Sequence, residues 1–270
     1  MNHWQSSTAE IEDTIINSVR LGLITDMDGT ISPIVAKPDE ARVTPRIHTL
    51  LEALLPHLAL LAVVSGRSIA DLRTRLDLPG LVYVGNHGLE WKQNAQIEIE
   101  PEVRSYRPAL EAALEALYYQ QKPGMLVEDK GATISVHYRQ TSDPEEVYEE
   151  FYPVIEQITK QHGLRLYKGR MVFELRPPIN TNKGTALERL INDYDLDSAI
   201  YMGDDTTDAD ALQIAQKLRH EGVCDSFGMA VLSSDTPTAL VESADLSLLG
   251  VGDVERFLSW LLNARSASTT

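Results

Sequence analysis

The sequence predicts a doubly wound α/β core interrupted by an inserted α+β unit. Three observations point there. Short apolar runs alternate with amphipathic helical stretches in the first third, a pattern that calls for parallel strands joined by right-handed crossovers. Three apolar runs, ending at Ile24, Val64 and Met202, lead straight into polar motifs, as strands do when their carboxyl ends carry a site. In the middle third the order becomes helix, strand, strand, helix, strand, strand, which builds an antiparallel sheet instead of another crossover.

The run Leu21-Gly22-Leu23-Ile24 reads as a buried strand, and Asp26 and Asp28 emerge where it breaks into the turn at Gly29. Thr44-Pro45 supplies a cap and a first-turn proline for a helix over 46–55. A second buried strand, 58–64, runs into Ser65-Gly66-Arg67, and a helix over 69–76 and a strand over 81–84 follow. The insert opens with a helix from Pro108 to Gln121. Strands over 125–128 and 132–138 flank the Asp129-Lys130-Gly131 turn. A second helix covers 144–162, and a hairpin pairs 164–168 with 171–175 around Gly169-Arg170. Asn182 then opens an amphipathic helix. A strand ending at Met202 leads into Gly203-Asp204-Asp205, with a helix after Thr206. A final helix covers 254–262, ahead of a polar tail at 266–270. The domain borders on this reading are 1–105 for the first part of the core, 106–179 for the insert and 180–270 for the rest of the core.

Composition narrows the class of function. Apolar residues at 43% and charged residues at 24% describe an ordinary globular protein. A formal charge of −16 argues against nucleic-acid or anionic-membrane partners. The lone Cys224 excludes an internal disulfide and suits a reducing compartment. It has no histidine or cysteine at ligand spacing, so it reads as a packing residue. No apolar run approaches the ~20 residues of a membrane span and the first twenty residues lack a signal pattern, so the expected location is cytoplasmic.

The motifs carry phosphoryl-transfer chemistry. A phosphate monoester is dianionic, so a carboxylate approaches it only when charge is neutralised, and Mg²⁺ in a shell of hard oxygens does that. Asp26 is the candidate nucleophile, forming an aspartyl-phosphate. Asp28 is the candidate acid–base, first donating to the leaving oxygen and then taking a proton from water. Ser65, with Gly66, and Lys183 are candidates to hold the phosphoryl oxygens. Asp26, Asp204 and the backbone carbonyl of Asp28 are the candidate metal ligands, with Asp205 and Asp208 orienting waters or Lys183 behind them. Plainer readings stand beside these. Ser65 also fits a turn before a helix capped by Ser68, and the 204–208 acids also fit a charged helix start. Lys183 at a helix start opposes the dipole, which argues for a compensating anion nearby.

The four motifs in this order resemble the haloacid dehalogenase (HAD) superfamily from about Leu21 to Leu262, which implies a HAD-type Rossmann-like core with a C2B-type αββαββ cap. Gly85-Asn86-His87-Gly88-Leu89-Glu90, Glu128-Asp129-Lys130 with His137-Tyr138-Arg139, Glu174-Leu175-Arg176-Pro177 and Gly203-Asp204-Asp205-Thr206-Thr207-Asp208 look like trehalose-6-phosphate phosphatases. That resemblance implies Mg²⁺-dependent hydrolysis of a small sugar phosphate, trehalose 6-phosphate, and functional coupling to a trehalose-6-phosphate synthase. It also implies that Asn86, His87, Glu90, Glu128, Lys130, Arg139, Glu174 and Arg176 grip the two glucose rings. From patterning alone, the charges of the insert equally suit the solvent face of an antiparallel sheet. A phosphatase for another glycosyl phosphate, such as glucosylglycerol phosphate, and a sugar phosphomutase of the same superfamily remain alternatives. So does a binding protein without catalysis, although such a protein would be expected to lack Asp26 or Asp28.

Overall fold

Short strands and α-helices open the chain. They are β1 (Asn2–His3), α1 (Thr8–Asn17), β2 (Leu21–Thr25), α2 (Pro45–Leu54), β3 (Leu60–Val64), α3 (Ile69–Arg75), β4 (Val82–Gly85), β5 (Glu90–Lys92) and β6 (Glu98–Ile99). Next come α4 (Val103–Gln120), β7 (Leu126–Asp129), β8 (Ile134–His137), α5 (Pro144–Gln161), β9 (Arg165–Gly169) and β10 (Val172–Arg176). The chain closes with α6 (Lys183–Asp193), β11 (Ser198–Gly203), α7 (Thr206–His220), β12 (Asp225–Leu232), α8 (Thr238–Ser243), β13 (Leu246–Leu249) and α9 (Val251–Ala267). This computed structural model describes residues 1–267 apart from 36, 94, 95 and 170, and the side chains at 10, 15 and 16 are likewise outside the description. Arg170 of the expected hairpin turn and residues 268–270 of the expected tail thus lie outside the described residues. The chain divides into two compact units, Met1–Ile97 with Thr181–Thr270, and Glu98–Asn180.

In the first unit the strands lie in the order β1-β13-β12-β11-β2-β3-β4-β5. Every pair from β1 to β4 is parallel, and only β4–β5 is antiparallel. Successive residues of a strand point to opposite faces, and the sequence is apolar on both. Leu21, Leu23, Leu61, Val63, Ile200 and Met202 pack with Ile47 and Leu51 of α2 and Phe257 and Leu258 of α9. Ile24, Ala62, Val64, Ala199 and Tyr201 pack with Leu187 and Leu190 of α6 and Ala211 and Leu212 of α7. Helices therefore cover both faces, as parallel sheets require. The chain leaves β2 toward β3 and β4 on one side, while β11, β12 and β13 lie on the other. The order reverses between β2 and β11, the position at which such sheets bind ligands beyond their carboxyl ends.

The second unit holds a four-stranded antiparallel sheet, β7-β8-β10-β9. Val127, Val136 and Phe173 turn one face toward Leu110 and Leu117 of α4 and Phe151 and Ile155 of α5. The opposite face carries the row Glu128, Ser135, Glu174 and Tyr167, placed side by side by the strand register.

Two helices run longer than the sequence pattern suggests. The first helix of the insert begins at Val103, with Pro108 inside it. A proline there removes one helical hydrogen bond, but Arg107 anchors the extra turn through Asp129 at 2.7 Å and the Gly131 carbonyl at 2.9 Å. The last helix continues to Ala267 because Arg265 donates to the carbonyls of Ser18 and His57. Cys224 is buried within an apolar cluster, and burial first, then nearby Asp197, pushes its thiol up to about 12. That is the environment of an inert packing residue.

Candidate functional site

β2 delivers Asp26 to the switch point already buried, at 4% exposure. Its backbone N–H donates to the Met202 carbonyl at the end of β11 (2.8 Å), and its own carbonyl accepts from the Thr25 hydroxyl (2.8 Å). The chain then doubles back, with Ile31 and Ser32 N–H both donating to the Met27 carbonyl. Gly29 makes this possible. It has φ +80°, and a Cβ there would lie 1.9 Å from Asp204 Oδ2.

Lys183 enters from the other half of the sequence. Asn182 caps α6 by accepting from Thr185 N–H, while the Thr185 hydroxyl accepts from Asn182 N–H. Lys183 is thus the first helical residue, and it is 3% exposed. Its ammonium lies 2.9 Å from Asp26 Oδ1 and 2.8 Å from Asp208 Oδ1. These are the anions that its position against the helix dipole demands. Burial opposes the ammonium, but Asp208 and Asp26 outweigh it and hold Lys183 above the ordinary lysine range.

Asp208 is fully buried and spends both oxygens. Oδ1 accepts from Lys183 and from the Tyr201 hydroxyl at 2.6 Å, and Oδ2 accepts from Asp205 N–H at 3.1 Å. Carboxylate oxygens of Asp26, Asp204 and Asp208 all lie within 4.8 Å of one another. Burial foremost, followed by Asp208 among its acidic neighbours, raises Asp26 to about 7, with Lys183 pulling the other way. Burial, then Asp26 and Asp208, raises Asp204 to about 9. Three carboxylates against one ammonium leave a formal charge of −2, which a divalent cation balances with hard oxygen donors. The cluster is compatible with such a metal. Asp208 already accepts three hydrogen bonds, whereas Asp204 has no side-chain hydrogen bond among the described residues, so Asp26 and Asp204 are the acids with more ligand capacity to spare.

Asp28 turns its carboxylate to Arg67, which grips it at 2.5 Å from Nε and 2.8 Å from Nη2. Ser65 is buried at the end of β3, and its hydroxyl accepts from Arg67 N–H at 3.3 Å. The loop after β4 is stitched to this turn, since Asn86 N–H donates to the Arg67 carbonyl and His87 N–H to the Ser65 carbonyl. Asn86 and His87 adopt φ 47° and 57°. The His87 ring stands on Gly66, where a Cβ would meet Nε2 at 2.4 Å. Asn86 Nδ2 donates to Glu90 Oε1, and Glu90 Oε2 accepts from the Ile69 N–H at the start of α3, both at 2.8 Å.

The remaining sequence candidates belong to the second unit. Glu174 is buried on the polar face of its sheet. It accepts from Arg176 at 2.9 and 2.5 Å and from the Thr133 hydroxyl at 3.3 Å, with Lys130 3.8 Å away. The Arg176 guanidinium lies over the Tyr167 ring, 4.2 Å from its centre. Glu128 faces His137 Nε2 at 3.4 Å, and Arg139 follows β8 in a half-buried turn. Two residues escaped the sequence reading. Tyr201 looked like a strand hydrophobe, and Arg67 was noted only as the end of a motif. Their i+7 and i−39 partners, Asp208 and Asp28, reveal them only in the fold.

Comparison with known proteins points to one family. Residues 24–243 match the trehalose-phosphatase family model. The chain is 29% identical over 281 residues to trehalose-phosphate phosphatase B of Arabidopsis thaliana, covering 95% of this chain and 71% of that protein. It is 32% identical over 234 residues to a trehalose-phosphate phosphatase of Mycobacterium tuberculosis, covering 82% of this chain and 59% of that protein. The fold is shared with the C-terminal domain of Candida albicans trehalose-6-phosphate phosphatase, at TM-score 0.77 and 21% identity over 94% of this chain and 96% of that one. No described helix is long and apolar enough to cross a membrane. With a family match spanning most of its length and the acid–lysine cluster at the switch point, this chain belongs to the trehalose-phosphatase family.

Proposed function

We propose that this chain is a Mg²⁺-dependent phosphatase that converts trehalose 6-phosphate to trehalose and phosphate through an aspartyl-phosphate on Asp26. The observation that carries the mechanism is the buried contact of Asp26 with Lys183, itself held by Asp208, beside Asp204. Asp26 attacks phosphorus, the bond to the sugar oxygen breaks, and Asp28 gives that oxygen a proton. Water then attacks the phosphoryl group, Asp28 takes its proton, and the bond to Asp26 breaks. Lys183, Ser65 and the backbone at Gly66 hold the phosphoryl oxygens. Once Asp26 is phosphorylated its carboxyl no longer offsets the ammonium, which then stands between Asp208 and the phosphoryl oxygens, with Asp205 N–H steadying Asp208. Asp26, Asp204 and the Asp28 carbonyl would hold Mg²⁺, which neutralises charge on the phosphoryl group.

In this reading the first unit performs the phosphoryl chemistry, and the second is a cap that selects the alcohol. Glu128, Lys130, Arg139, Glu174 and Arg176, with Asn86, His87 and Glu90 from the first unit, are the groups proposed to recognise the disaccharide. The buried Glu174 and Arg176, with the half-buried Lys130 beside them, support this, because a solvent face does not require charges at 6–7% exposure, the values for Glu174 and Arg176. Supply of substrate by a trehalose-6-phosphate synthase and a cytoplasmic location complete the reading, and the buried thiol of Cys224 suits the latter.

Phosphate release from trehalose 6-phosphate, glucose 6-phosphate, sucrose 6-phosphate, glucosylglycerol phosphate and an aryl phosphate, each with Mg²⁺ and with chelator, tests it. The expected rate on trehalose 6-phosphate exceeds the others by ~100-fold, worth about 2.7 kcal/mol of transition-state discrimination, and is lost on chelation. Metal-dependent preference for another ester would overturn the substrate. Lys130→Ala is expected to cut kcat/KM for trehalose 6-phosphate by ~10- to 100-fold, the scale of a lost charged hydrogen bond, with the aryl phosphate nearly unaffected. Equal losses on both substrates would make Lys130 structural.

A further inference from the structure

Asp28 sits on a partly buried turn, and both oxygens of its carboxylate are held. Its side chain is 32% exposed, and that of Arg67 only 12%. Both Asp28 oxygens accept from the Arg67 fork, a planar bidentate match that fixes the carboxylate plane as a point charge would not. The fork is itself held. Arg67 Nη1 reaches Asp71 Oδ2 at 2.6 Å, and Nη2 also donates to the Pro38 carbonyl at 3.0 Å. Asp71 is gripped in turn by Arg75 at 2.5 and 3.0 Å, and Arg75 Nη1 donates to the carbonyls of Asp39 and Ala41. Asp71 and Arg75 occupy successive turns of α3, which Ser68 caps. A chain of alternating charge thus runs from the helix to Asp28 and straps down the loop that follows it.

We propose that Arg67 is a positioning residue for the reaction, holding the Asp28 carboxylate in the orientation from which it gives and takes protons. This rests on Asp28 being the acid–base group. The fork uses two of the roughly four lone-pair sites of the carboxylate, so a site remains for the travelling proton. The third of the side chain left exposed gives the leaving oxygen and the incoming water access. The backbone N–H of the same residue reaches Ser65 Oγ, so one arginine sets both the acid–base group and a phosphoryl-binding hydroxyl in register. Misplacing a reacting group by about an ångström costs on the order of 100-fold, and a lysine at position 67 keeps the charge but not the fork.

The test is a double-mutant cycle on Arg67→Lys and Asp28→Asn, read with trehalose 6-phosphate and with 4-nitrophenyl phosphate. Nitrophenolate leaves without a proton, so its burst release reports attack by Asp26 alone. Arg67→Lys is expected to lower kcat on trehalose 6-phosphate by ~30- to 100-fold, with KM and the nitrophenolate burst rate each within ~3-fold. Added to Asp28→Asn, it should cost less than ~3-fold more. Asp71→Asn, which loosens the fork from behind, should give the same pattern at ~3- to 10-fold. Multiplying losses in the double variant, or equal losses in turnover and burst, would overturn the proposal and leave Arg67 a structural strap. Near-normal turnover of Asp28→Asn alone would instead overturn the acid–base assignment of Asp28.

Discussion

Asp26→Asn is expected to lower turnover by about 10⁴-fold or more, because an amide cannot form the acyl phosphate on which both half-reactions depend. The same substitution should not weaken the fold. Asn Oδ1 can accept the hydrogen bond that Asp26 Oδ1 accepts from Lys183, and Asp208 still neutralises the ammonium. Removing one of three crowded acids also relieves Asp204, on which Asp26 is the largest charged influence after burial. In chelator the Tm of Asp26→Asn should therefore equal or exceed that of the parent chain. Near-normal turnover would rule out Asp26 as nucleophile. A clearly lower Tm in chelator would mean that its charge is structural, not a cost carried for function.

Legibility in the sequence followed the range of each interaction. β2, β3 and β11 were readable because burial on both faces writes itself as a continuous apolar run. The acids after them were readable because a strand end, a turn and a cap are local. β12, Asp225–Leu232, was not legible although it is nearly all buried, because Val231 is its one β-branched residue and Gly228 sits in its middle. β5 is only three residues long, and β13 four. The site divides in the same way. Lys183 was predictable from its conflict with the helix dipole, and that conflict named a compensating anion without saying which one. The pairing of Arg67 with Asp28 spans 39 residues, and nothing local distinguishes it from the i+4 pairs of Arg67 with Asp71 or Arg73 with Asp77. Tyr201 alternates with Ala199 toward the apolar side of the sheet, so its hydroxyl bond to Asp208 is invisible without the fold. In the second unit, alternation identified which charges share a face. Register alone shows that Glu128, Ser135, Glu174 and Tyr167 form one row.

Metal-free protein is expected to lose stability as pH rises from about 5 to about 9, and divalent metal should reverse this. Asp26 and Asp204 titrate near 7 and 9 in the fold against 3.8 for the free side chain. Across that window the folded chain binds more protons than the unfolded one, so stability falls with pH. Asp71, Asp129, Asp197 and Asp253 are shifted downward. Their contribution is lost as pH falls through their folded values and is complete above about pH 5, so it does not mask the slope. Lys183 is shifted upward, and its contribution fades only as pH rises beyond the window. A divalent cation takes the place of the protons, so its stabilising effect should grow with pH. At 100 times its dissociation constant it contributes about 2.7 kcal/mol, or roughly 5–10 °C in Tm for a domain of this size. Melting curves from pH 5 to 9 in chelator and in Mg²⁺ measure both slopes. Asp204→Asn supplies the control, since it should flatten the chelator slope and shrink the metal shift together. A parent Tm that is level with pH in chelator, or an Asp204→Asn variant as strongly stabilised by Mg²⁺ as the parent, would mean that these acids are not where metal and proton compete.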